Sequence, residues 1–330
     1  MVDLIRSIDS SGSGDYTTWQ LWEDDCSADL VTDGDNWIGE QVNEEQTSTS
    51  TLTISGITTD ASNRLIMRAA SGASFVDNAT PGTDPLRYDT TKGAAYRKTT
   101  SYGSVVSISS VRVEVEQLQF RADGNTVAFD ALNHTQPYSL KQCIVDSRST
   151  IAVVRAVRLS GNNTLYQNTV IIADNTGPCA IVRTADFEYC TLYVTGTADC
   201  VTGNYGTGDF TNCLFLGGST FQGGTNNHSV DYCVTDLASW ESSTATNSVL
   251  NATAADEIEN DTGVKTTCDL SAKSGGDSDG GGTPLTVTVD IYGQTRDGTS
   301  PTVGAFEIVS ARAGLSIPVA MYHRQQFNRG

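Results

Sequence analysis

Seven charged residues in mid-chain are of the types that work on polysaccharides: Asp146, Arg148, Arg155, Arg158, Asp174, Arg183 and Glu188. A glycoside hydrolase needs two carboxyl groups about 5–10 Å apart, one as acid and one as base or nucleophile. A lyase needs a base, usually beside calcium-bound acids. No two of these carboxylates align at one position of neighbouring repeats, so the sequence assembles neither site. The histidines His134, His228 and His323 are scattered, with no Ser/His/Asp pattern around them. The 8 cysteines contain no C-x-x-C pair, which removes the zinc and dithiol motifs. Asp277 and Asp279 in SGGDSDGGG fall short of calcium-loop spacing. The expectation is no catalytic residue, no metal and no cofactor.

What would position any such residue is a repeat. Six segments align: VEQLQF (115–120), LKQCIV (140–145), LYQNTV (165–170), FEYCTL (187–192), FTNCLF (210–215) and VDYCVT (230–235). Their fourth positions are Leu118, Cys143, Asn168, Cys190, Cys213 and Cys233, spaced 25, 25, 22, 23 and 20 residues apart. A second column holds Ala128, Ala156, Ala180, Val201 and Phe221. A period of this length means stacked units that cannot bury an apolar face alone. Leucine-rich repeats share the period, but their leucine offsets here hold Tyr138, Thr135, Asn163 and Ser160. The intervening Gly, Thr, Ser, Asn and Asp favour turns over helices. The expected fold is therefore all-β: a single-stranded parallel β-helix whose inward ladder is Cys143, Asn168, Cys190, Cys213 and Cys233. Thiols serve there as small buried hydrophobes.

Composition agrees. Only 18% of residues are charged, and the net charge is −19. That excludes direct nucleic-acid binding by the body, which needs clustered Lys and Arg. No apolar run of about 18 residues is present, so no membrane span is expected. The first residues lack a signal-peptide pattern, which points to cytosolic synthesis and reduced thiols. Tyr16 to Leu30 carries a helical pattern whose Trp19 and Trp22 would either cover the open end of the first coil or bind sugar. Residues 78–100 break the repeat, with Arg87, Lys92, Arg97 and Lys98 on an expected projecting loop.

Both ends carry a resemblance. Residues 290–307 read DIYGQTRDGTSPTVGAFE, a D-x-x-G-x-x-R segment followed by G-A-F-E. This resembles the closing segment of right-handed parallel β-helix proteins encoded by tailed phages and prophages. GDYTTWQLWEDD (14–25) resembles their opening. The resemblance implies a right-handed solenoid with a short N-terminal capping helix. It also implies a non-enzymatic virion structural protein, a decoration or fibre on the particle surface, most readily on the head and assembled in the host cytoplasm. A homotrimer is the oligomer it implies. The alternative is a tail-fibre or tailspike-type protein that binds or degrades glycans.

The motif also reads physically. Gly293 and Gly304 allow tight turns. Arg296 can pair with Asp290 or Glu307, making a clasp on the last coil. All 39 acidic residues precede residue 308. Beyond it Arg312, Tyr322, His323, Arg324, Phe327 and Arg329 form an apolar and basic stretch, expected to dock on capsid or tail proteins. The expected organisation is 1–30 strand and capping helix, 31–307 β-helix and 308–330 C-terminal arm.

Overall fold

The computed structural model describes residues 2–100, 103–123, 127–131, 138–148, 156–159, 164–173, 180–181, 185–202, 207–222, 227–241, 243–264 and 266–309. Strand accounts for 42% and helix for 7%, in long parallel sheets that do not close into a barrel. The arrangement is compatible with an all-β parallel solenoid.

Three sheets of ten, eight and seven strands run along the stack, here called first, second and third. From Asp35–Gln41 onward the chain visits them in rotation. One turn is Val113–Glu116, Gln119–Asp123 and Val127–Ala131; the next is Tyr138–Lys141, Ile144–Arg148 and Val157–Leu159. Each strand pairs in parallel with the strand one turn away. Alternation explains the faces. Phe187 and Phe210 point inward and are buried, while Asp186 and Asp209 between them point out. Inside, Tyr166, Phe187 and Phe210 stack ring on ring at 4.6 and 4.7 Å, about the inter-strand spacing.

Register corrects the expected ladder. Leu140 pairs with Tyr166, so Cys143 lies over Thr169, and the column runs Leu118, Cys143, Thr169, Cys190, Cys213, Cys233. All six are fully buried. Asn168 sits one residue earlier, at φ +48°, in the corner between the first and second sheets. The same corner elsewhere holds Gln117, Gln142, Tyr189, Asn212 and Tyr232, all at φ between 51° and 58°. The second column shifts likewise. Val157, Ala180, Val201 and Gln222 are in register, so Ala156 and Phe221 lie one position before that row.

Tryptophans join the core near both ends of the run of strands. The helical stretch expected over 16–30 is two short helices, Trp19–Asp24 and Leu30–Asp33, the first N-capped by Thr18. Trp19 and Trp22 are fully buried. They press so closely on the adjacent turn that a Cβ on Gly39 would lie 2.5 Å from the Trp19 ring. At the other end Trp240 packs on Phe221 at 4.9 Å.

A second core lies outside the stack. Over its later turns the outward side chains of the second sheet are largely apolar: Ile144, Val170, Ile172, Tyr193, Leu214 and Leu216. They are covered by Ile258, Leu270, Ile291, Tyr292, Val303 and Phe306. The segment expected to be solenoid over 31–307 thus contains two structures. Rotating strands run to Thr244–Thr246, and a strap follows them, containing an antiparallel pair, Ile258–Asn260 with Asp269–Ala272.

Residues 78–100 do not project. Leu86 is fully buried, its N–H donates to Asp269, and its carbonyl accepts from Leu270. Ala95–Lys98 is a strand of the second sheet. The cations there are engaged: Arg87 on the Cys268 carbonyl, Lys92 on Asp84, Arg97 on Asp123, and Lys98 on Thr51 and the Ser104 carbonyl. The apolar outer face of the second sheet draws the insertion onto the stack.

Candidate functional site

The corner column has a purpose beyond turning the chain. At four successive turns the corner side chain is polar and reaches the strap. Gln142 donates to the Asp290 carbonyl at 2.7 Å, and Asn168 to the Val289 carbonyl at 2.6 Å. The Tyr189 hydroxyl donates to the Thr283 carbonyl at 2.8 Å. Asn212 both donates to that carbonyl and accepts from the Thr283 N–H. The 283–292 limb of the strap therefore runs opposite to the direction in which the stack grows. That limb leaves Asn212 at Thr283 and reaches the early turns, where the Tyr292 hydroxyl donates to the Asp84 carbonyl.

The closing residues meet at the strap's fold-back. Arg296 is 6% exposed. Its Nη1 donates to Glu307 and to the Thr302 carbonyl, both at 3.2 Å. Its Nη2 donates to Asn168 Oδ1 at 2.7 Å and to the Gly304 carbonyl at 2.9 Å. The guanidinium lies 3.8 Å from the Tyr189 ring centre, a cation–π contact with little water near it. Of the two partners open to Arg296, Glu307 takes the direct bonds. Asp290 instead accepts from the N–H groups of Tyr292, Gln294 and Glu307. Burial lowers the Arg296 pKa, and Asp290 and Glu307 oppose that. Burial likewise raises both carboxyls, against the N–H groups that hold them. Gly293 and Gly304 take φ of 75° and 96°, and a Cβ on Gly304 would meet Thr191 at 2.9 Å. The clasp grips the flank of several turns rather than the last coil alone.

The mid-chain charges divide. Asp146 is 1% exposed on the strap-covered side of the second sheet and pairs with Arg148 at 2.7 Å. Glu188 accepts from Gln167 on the open first sheet. Arg155, Asp174 and Arg183 lie outside the described residues, as do His134 and His323. So does the arm, with Arg312, Tyr322, Arg324, Phe327 and Arg329. His228 is buried against Phe210 and Phe221, and its Nδ1 accepts from the Gly208 N–H at 2.8 Å. No group of three or more His, Cys, Asp or Glu able to hold a metal occurs among the described residues.

Sequence reasoning missed one alignment. Asp186 pairs in register with Asp209 on the outer face of the first sheet, and Glu188 is two residues from Asp186 on the same strand. Asp186 points outward, yet its pKa is raised, first by the partial desolvation its neighbours impose and then by the charges of Asp209 and Glu188. The shared D-F of ADFE and GDFT could have shown the pair. The corner residues were missed too. Their signal was the polar or tyrosyl residue just before each column position, of which Asn favours positive φ.

The geometry defines a laterally strapped all-β protein with long parallel sheets. Comparison with known protein families and with curated proteins finds no match to this chain.

Proposed function

We propose that the protein is a non-enzymatic structural component of a bacteriophage particle, a right-handed β-helix decoration or fibre on its surface, most readily on the head. In this reading the two N-terminal helices cap the solenoid, the oligomer is a homotrimer, and the segment after Glu307 fixes the protein to capsid or tail proteins. The observation that carries it is the strap. Sealing the second sheet and latching the seal with a buried arginine makes a stiff rod, and stiffness is what a surface fitting needs. The phage-type sequence at both ends supports the same reading. The test is co-sedimentation of purified protein with particles that lack it. Full-length chain is expected to co-sediment, and chain truncated after residue 311 is expected to stay folded in solution. Binding by the truncated chain would remove the role of the arm.

The carboxylates Asp186, Asp209 and Glu188 favour a second reading, a glycan-cleaving tail protein. Under the structural reading, the protein releases no reducing or unsaturated sugar ends from acidic or neutral polysaccharides. Release abolished by Asp186→Asn or Asp209→Asn would replace it with the second.

A further inference from the structure

At the N-terminal end of the stack each sheet finishes in an edge strand, and an open edge invites pairing by another chain. Side chains seal the third edge along its length, and the turn after Ile8 seals the first at its Ser7 end, leaving that edge exposed over residues 2–5. On the first sheet the Ser7 N–H donates to Asp15 at 2.8 Å, and the Ser7 carbonyl accepts from the Tyr16 N–H at 3.0 Å. On the third sheet the Gln20 carboxamide mimics a neighbouring strand. It accepts from the Thr53 N–H at 3.0 Å and donates to the Thr53 carbonyl at 3.3 Å, while Glu23 takes the Ser55 N–H at 3.0 Å.

The second sheet ends in Glu45–Ser48, paired on one side with Ala95–Lys98. The carbonyls of Glu44 and Ser48 accept from Ala95 and Thr99. In a parallel ladder the alternate residues then direct their N–H and C=O the other way, so those of Glu45 and Thr47 face outward. They meet no backbone partner among the described residues. What they face is a cleft of about 390 Å³, whose far wall holds Ser10, Thr17, Thr18 and Gln20.

We infer that this edge is a docking site for one extended strand of a partner protein, added beside Glu45–Ser48. Main-chain hydrogen bonds supply affinity in such additions, and alternate side chains supply specificity. The lining is hydroxyl and carboxamide, so the matching strand is rich in small polar residues. The charged group of the lining, Glu45, already accepts from the Tyr88 hydroxyl at 2.8 Å and lies 3.7 Å from Arg97. The chain's net charge of −19 favours a strand that carries Lys or Arg rather than acid. A second copy of this chain fits less well, because it would bring its own Glu44 and Glu45 to the same place. The site goes beyond the particle reading and holds whether or not the partner is a virion protein.

The test uses the full chain and amide hydrogen exchange. The probe is the acetylated peptide Lys-Thr-Val-Thr-Val-Thr-Lys, run beside the same peptide N-methylated at alternate amides, and beside maltoheptaose. The unmodified peptide is expected to slow exchange at Glu45 and Thr47 at least tenfold, and added salt to weaken the effect. The methylated peptide, with the same side chains and no free edge, is expected to do nothing. Thr47→Pro is expected to abolish protection of the Glu45 amide, since proline is tolerated at a strand edge and removes the donor. The inference fails if the peptide protects neither residue, if both peptides act equally, or if only maltoheptaose protects, which would make the cleft a saccharide site.

Discussion

Arg296 concentrates the consequences of burial in one side chain. Removing one member of a buried ion pair costs about 3–5 kcal/mol, because the other is left charged and alone. Arg296→Met is therefore expected to lower stability by about that amount in calorimetry. Arg296→Lys should rescue little, because an ammonium cannot reach Glu307, Asn168 and the Gly304 carbonyl as a planar fork does. The column cysteines are expected to behave as apolar core. Cys213→Ala should cost about 1 kcal/mol, and Cys213→Arg should prevent folding by burying an unpaired charge. Buried His228 has its pKa lowered to about 4, chiefly by desolvation. In the unfolded chain a histidine titrates near 6.5, so the unfolded state takes the proton first as pH falls. His228 thus favours the folded state fully above about pH 6.5, and loses up to about 3 kcal/mol between there and pH 4. Buried acids with raised pKa push the other way, so the measurement is a difference. Urea midpoints of wild type and His228→Gln, followed from pH 7 to 4, should converge as pH falls. Parallel curves would remove His228 from the account.

Among the elements, the strands of the regular turns were legible because inward apolar and outward polar residues alternate over short, similarly spaced segments. The phase was less legible. LYQNTV was set one residue early because Asn168 resembles a ladder asparagine, and only pairing with the neighbouring strand shows that Thr169 occupies the column. Periodicity fixes how often a position recurs, not which neighbour it lies over. The closing residues could be picked out from D-x-x-G-x-x-R and G-A-F-E, but their receivers could not. Gln142, Asn168, Tyr189 and Asn212 share no side-chain type, only a backbone conformation. The insertion at 78–100 read as solvated because its partner, Leu270, lies far along the sequence. Gly217 tests the element scale directly. Its φ is +74°, and a Cβ there would lie 1.9 Å from the Val194 carbonyl. Gly217→Ala should therefore cost about 2–4 kcal/mol through strain and overpacking, seen as a lower melting temperature.

Across the whole molecule, the strap changes how the stack should come apart. An array whose repeats touch only their neighbours can fray from its ends, one unit at a time. Here contacts from Tyr292 to Asp84 and from Thr283 to Asn212 tie distant turns to one segment. Hydrogen exchange is expected to show similar protection in the second-sheet strands Ala95–Lys98 and Leu214–Gly217, lost together. In Arg296→Met the two should separate, and separate exchange in the unaltered chain would show that the strap does not couple them.

The place of the strap in the chain also sets a timetable. A ribosome delivers the rotating strands first and residues 249–307 afterwards. Until then the outer face of the second sheet, with Ile172, Leu214 and Leu216, has no cover. Each newly made chain passes through an interval in which its interior is complete and one flank is still wet and adhesive. The last residues of the clasp, Gly304 to Glu307, end that interval, so translation itself decides when the finished surface can meet other molecules.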